Sequence, residues 1–189
     1  METNEMNTAV EQLNLLKKDA QDFMKKGLPF VLASVVLWTL ILLARIFSPN
    51  LQVANMATFV CCCLLMPLAI LFAKAVKADI FRKTKNPFKN LCLLNTFNQF
   101  LYLLIVMWAF SRNPDAMLMI YAMVFGAHLL PFGWVYDSKA YTIVSIAETV
   151  GALVIGCLWG DIPTAAFIIC GEIVLSALLF KECRQFETK

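Results

Sequence analysis

The chain has 189 residues, 60% of them apolar and 15% charged, with a net charge of +3 at neutral pH. A soluble domain carries about 45–50% apolar and about 25% charged residues, so this composition excludes an ordinary water-soluble fold. The charges are clustered, and the long uncharged stretches between them read as membrane spans, about 20 helical residues each. These stretches are continuous, not alternating, which predicts an all-α polytopic protein and not a barrel.

The first element, over residues 1–27, is polar. The stretch "NTAVEQLNLLKKDAQDFMKKG" has Thr8 and Glu11 at capping-box spacing and Ala9, Leu13, Leu16, Ala20 and Phe23 on one face. It predicts an amphipathic helix ending at Gly27, before Pro29. Such a helix either lies in the cytoplasmic interface, with Lys17, Lys18, Lys25 and Lys26 toward anionic lipid headgroups, or packs on the protein's own loops. No short apolar core with a cleavage site precedes the first span, so no cleavable signal is expected. A single membrane domain of six spans follows over 28–180: 28–47, 53–73, 91–110, 116–136, 140–159 and 163–180. Residues 181–189 form a tail.

Of the sixteen Lys and Arg residues, fourteen fall on the N-terminal segment, the second loop, the fourth loop and the tail; Arg45 and Arg112 alone fall on the other side. By the positive-inside rule both termini are cytoplasmic. Trp108, Trp134 and Trp159 near span ends suit interfacial anchors, whereas Trp38 is mid-span and reads as a packing residue. The 74–89 loop is strongly basic and open to anionic lipid, each basic residue contributing about 1 kcal/mol near such a surface. Topology alone accounts for its charge. Nothing in the basic loops points to nucleic acid.

Polar residues recur at one depth. The only histidine, His128, lies in the fourth span within "GAHLLPFGW". The third span has Asn95, Asn98, Gln99 and Tyr102 at i, i+3, i+4 and i+7, the fifth has Glu148, and the sixth has Glu172. At about 1.5 Å per residue from each cytoplasmic end, Asn98, Gln99, His128, Glu148 and Glu172 all sit roughly 11–12 Å deep. Tyr121 shares the histidine's face. Carboxyls on lipid are costly, so these groups are expected to face the bundle interior or a wet cavity. Ser145, Thr149, Ala152 and Gly156 beside Glu148 mark a packing face. The candidate ligand or ion site is therefore His128, Glu148, Glu172, Asn98 and Gln99, with Asn95, Tyr102 and Tyr121 as further lining. The opposed reading makes the same groups interhelical hydrogen-bond partners and nothing more.

Pro67 and Pro131 lie within spans, and each removes a backbone hydrogen bond. Pro131, three residues from His128, is placed to open room beside its ring. The seven cysteines include no C-x-x-C and are expected to be reduced apolar filler. Those of "CCC" at 61–63 point about 100° apart on a helix and cannot converge on one ion. No H-x-x-x-H or E-x-x-H spacing, Gly-rich phosphate loop or Ser-His-Asp grouping is present. Neither a metal nor a cofactor is expected.

The segments "KKGLPFVLASVVLW", "NQFLYLLIVMWAFS" and "YAMVFGAHLLPFGWVYDSKAY" resemble a family of small bacterial integral membrane proteins of unknown function. The resemblance implies a bacterial inner-membrane location. It implies no activity and assigns no residues. From the residues themselves, the leading expectation is a small-solute or ion permease, proton-linked through the glutamates, with oligomerisation a route to a complete pathway. The alternative is a non-transporting sensor or assembly subunit. An intramembrane enzyme has least support, since His128 and a glutamate supply acid–base groups without a nucleophile or metal motif.

Overall fold

The computed structural model describes residues 2–187, with side chains for 4–185. Among the described residues every regular element is helical: α1 (Glu2–Met24), α2 (Leu28–Phe47), α3 (Leu51–Cys63), α4 (Leu65–Ala75), α5 (Pro87–Arg112), α6 (Met117–His128), α7 (Leu130–Val135), α8 (Lys139–Trp159) and α9 (Asp161–Glu187). By length and composition, five helical stretches are able to cross a membrane, or six when α3 and α4, bent by 41°, count as one span. Each expected span coincides with a helix or a broken helix pair.

Both breaks follow from proline chemistry. The chain leaves the α-helix at Leu64, whose N–H reaches back three residues to the Cys61 carbonyl at 2.9 Å, and Pro67 has no N–H for the carbonyl four residues before it. At Leu129 the N–H bonds Gly126 at 3.2 Å, and Phe132 bonds Leu129 at 3.1 Å. Both are three-residue bonds around Pro131. The helix resumes at once on the far side of each break.

The start of α1 corrects the capping-box reading. The helix begins at Glu2 and Thr8 lies inside it, its hydroxyl donating to the Asn4 carbonyl at 2.9 Å. The reason is that a threonine in a helix interior satisfies itself on the preceding turn, and the acidic residues before it suit a helix N-terminus. The C-terminal half of α1 packs on the protein's own basic loop. The Asn86 amide donates to the Leu16 carbonyl (2.7 Å) and to Asp19 (2.9 Å), and the Asp79 N–H donates to the Phe23 carbonyl (2.8 Å). Ala20, Phe23 and Met24 are buried, while Leu13 and Leu16 stay exposed.

Between α1 and α2 three successive residues turn left-handed: Lys25 (φ 47°), Lys26 (φ 50°) and Gly27 (φ 74°). For non-glycine residues this conformation costs about 1–3 kcal/mol, so neighbours must hold it. The Tyr141 hydroxyl donates to the Lys26 carbonyl at 2.9 Å, and the Lys26 ammonium meets Glu182 at 2.7 Å. Glu182 also accepts from Ser138 at 3.0 Å. Lys26 is thus buried against protein. This corrects its expected place among the headgroup-facing lysines, because its charge is already neutralised by Glu182.

These contacts bring the start of α2, the α7–α8 turn and the end of α9 together at one end of the bundle. At the other end Arg45, closing α2, lies 2.9 Å from Asp161, opening α9. There the Asn55 amide donates to the Pro114 carbonyl at 3.0 Å. Within the bundle α2 packs on α9, α3 and α4, and α6 packs on α8 and α5. Trp38 is fully buried and stacks on Tyr121 with ring centroids 5.1 Å apart. All seven cysteines are free, and Cys61, Cys62 and Cys63 pass from buried to exposed as they diverge around α3.

Candidate functional site

Two apolar clusters divide the bundle along its length. One contains Leu37, Trp38, Met117, Phe125, Ala152 and Ile168; the other contains Val31, Leu129, Tyr141, Val144 and Leu175. Four helical stretches cross from one cluster to the other, and each carries a polar residue at the crossing. Ser34 lies between Val31 and Leu37 on α2, and His128 between Phe125 and Leu129 at the α6–α7 break. Glu148 follows Val144 on α8, and Glu172 precedes Leu175 on α9. The polar layer is therefore a single level of the fold.

Glu148 and Glu172 are 1% and 0% exposed. Glycines make their approach possible. A Cβ on Gly126 would stand 2.8 Å from the Thr149 nitrogen and 2.9 Å from the Glu148 Cβ, and one on Gly171 would collide with Glu148 Oε1. The Ser145 hydroxyl fixes the same contact by donating to the Gly126 carbonyl at 2.8 Å. The Glu148 side chain thus crosses Gly171 toward α9, where its carboxyl lies within electrostatic reach of Glu172. Both Glu148 oxygens and Glu172 Oε1 are buried without a hydrogen-bond partner. Among the described residues, neither carboxyl forms an ion pair.

Glu172 Oε2 meets the Ser34 hydroxyl, which also lies 2.6 Å from the Val31 carbonyl. A hydroxyl has one proton to donate and a carbonyl only accepts. The Ser34 hydroxyl thus has two acceptors within reach, the Glu172 carboxyl and the Val31 carbonyl.

A cavity of about 230 Å³ reaches this layer. Glu172, Ser34, His128 and Gln99 line it, among walls that include Phe30, Phe125 and Phe132. The His128 Nδ1 lies on the Phe125 carbonyl. Nδ1 therefore carries the proton and, in the neutral ring, Nε2 is an acceptor. The ring is flanked by Phe125 and Phe132, with centroids at 5.1 and 6.2 Å.

Not every candidate residue joins the cavity. Glu148 stands behind Glu172 and is not part of the lining. The shared face expected on α5 divides: Cys92, Thr96 and Gln99 turn to the cavity, whereas the Asn98 amide donates to the Tyr102 hydroxyl at 2.7 Å on the adjacent stripe. Asn95, about 40° around the helix from that pair's axis, is half-buried and also outside the lining. Tyr121 packs on Trp38 with its hydroxyl 3.1 Å from the Cys62 sulfur. Ser34 and Thr96 escaped the sequence reading because one hydroxyl in an apolar run carries little signal; Thr96 stands three residues before Gln99, the spacing that betrays it in retrospect. Among the described residues, no three His, Cys, Asp or Glu side chains converge as metal ligands.

Fold and site define an all-helical protein with five or six helices fit to cross a membrane and carboxyls gathered at one internal level. Residues 13–182 match a family of unknown function (DUF7010), and the chain belongs to that family. No curated protein and no solved structure is significantly similar to it.

Proposed function

We propose that this is a six-span permease of the bacterial inner membrane, moving a small solute or ion in exchange for, or together with, a proton. Both termini face the cytoplasm, where fourteen of the sixteen basic residues then lie. The N-terminal helix rests at the inner interface, with Lys17, Lys18, Lys25 and the 74–89 loop near anionic headgroups. A homo-oligomer is compatible with the small size of the bundle.

One observation carries the reading: a cavity ends on a fully buried glutamate with a second buried glutamate behind it, and among the described residues neither forms an ion pair. A purely structural polar layer gains nothing from three unpartnered carboxyl oxygens, since each buried unsatisfied polar group costs about 1–3 kcal/mol. A site that takes up and releases a proton needs such a group. Breaks in both α3–α4 and α6–α7 border the cavity, through Leu65 and Met66 on one side and His128 and Leu129 on the other. Discontinuous helices beside a buried site recur in transporters.

The test uses the full-length protein in proteoliposomes containing a pH-sensitive dye. Potassium, sodium, magnesium, choline, small amines and small carboxylates are each added outside. One of these solutes is expected to evoke proton movement, and Glu148→Gln and Glu172→Gln to reduce it at least tenfold. Proton movement unchanged in both variants, or evoked by none of the solutes, removes the reading.

A further inference from the structure

The cavity walls and floor differ in chemistry, and together they select a ligand class. The walls are mostly aromatic and aliphatic. The opposite sides come from α4 and α5, which make no extensive contact with one another. Phe81 and Leu93 line the cavity yet are 63% and 48% exposed, so the mouth lies between them, where α5 begins. A strongly hydrated solute finds few partners on such walls, and a bare metal ion finds too few ligands.

The floor presents the Glu172 carboxyl with Oε1 unpartnered, the His128 Nε2 and the Gln99 amide. Among the described residues, the cationic side chain that lines the cavity is that of Lys89. Lys89, at the rim, has its ammonium on the Arg82 carbonyl at 2.6 Å. An anion would therefore meet no positive charge at the floor, whereas a cation meets a carboxyl and the faces of phenyl rings.

Deepening the proposed permease site, we infer that the cavity binds a lipophilic organic ammonium ion, its apolar body against Phe30, Phe125 and Phe132 and its nitrogen at Glu172. The ammonium arrives charged, Glu172 gives up its carboxylic proton to water at the mouth, and an ion pair replaces a neutral acid. Site charge is zero before and after, so the exchange adds no net charge to the apolar interior. A volume of about 230 Å³ suits a ligand smaller than a typical drug.

The test measures binding of radiolabelled benzyltrimethylammonium to the full-length protein in detergent, with neopentylbenzene as its uncharged isostere and a pH dye in weak buffer. Saturable binding is expected, with one proton released per cation and an apparent affinity that rises about tenfold per pH unit while the acid form predominates. Neopentylbenzene at equal concentration leaves binding unchanged. Glu172→Gln weakens binding at least tenfold and abolishes proton release. Thr96→Trp, on the peripheral α5, fills the cavity and abolishes binding without touching either glutamate. Equal competition by neopentylbenzene, wild-type binding by both variants, or absence of binding overturns the inference. Cation binding without flux in proteoliposomes sustains it and removes the permease reading; flux of a different solute without cation binding overturns it alone.

Discussion

Glu148 offers the sharpest separation of the functional and structural readings. Its side chain is 1% exposed, both carboxyl oxygens lack partners, and the Glu172 carboxyl is close by. Replacement by methionine keeps the length and most of the volume, a class of change that by itself costs less than about 1.5 kcal/mol. It also removes an unsatisfied buried polar group worth about 1–3 kcal/mol of destabilisation. Glu148→Met is therefore expected to stabilise the fold by about 1–2 kcal/mol while lowering solute-evoked proton movement at least tenfold. Stability is read from unfolding by sodium dodecyl sulfate in mixed micelles, followed by the fluorescence of buried Trp38. Glu148→Gln, which keeps a polar head, should stay near wild type in the same titration. A loss of more than about 1 kcal/mol in Glu148→Met would refute the reasoning. It would mean that the carboxyl is a bonded anchor between α8 and α9.

Three further outcomes are expected. Asp161→Asn strands the buried Arg45, whose side chain is 2% exposed, at a cost of about 3 kcal/mol; Arg45→Met should rescue it, and a double-mutant cycle should show coupling of about 1–3 kcal/mol where additivity would deny the pair. Gly126→Ala forces a Cβ against the Thr149 backbone and should cost about 1–3 kcal/mol, with unaltered detergent stability contradicting the close α6–α8 approach. Tyr141→Phe releases the Lys26 carbonyl from its hydrogen bond, a loss of about 1–2 kcal/mol, and should speed tryptic cleavage at Lys25 and Lys26; an unchanged cleavage rate would show that the left-handed turn is held by other contacts.

Much of this molecule was legible before any coordinates. Uncharged runs of sufficient length gave the helices, and α2 spans the same residues, 28–47, that composition marks out. His128, Glu148 and Glu172 were expected at one level from helical rise alone, and in the fold all three lie where the two apolar clusters meet. Trp38 was legible as a packing residue because an indole far from either interface has only the interior to occupy.

Other features depended on which faces meet. Residues 98 and 99 share a level, yet about 100° of helical rotation separates them, and only the position of α5 against α6 decided that Gln99 and not Asn98 turns to the cavity. Arg45 read as an edge residue until α9 brought Asp161 to it. Lys26 read as a lipid-facing lysine until Glu182, 156 positions later, neutralised it. Sequence alone determined the apolar helices and their lengths, since these obey the rise of one helix and the run of uncharged residues. Tertiary structure alone decided which polar groups pair, which stay unpartnered and where the cavity opens, because rotation about each helix axis is set by the neighbours it packs against.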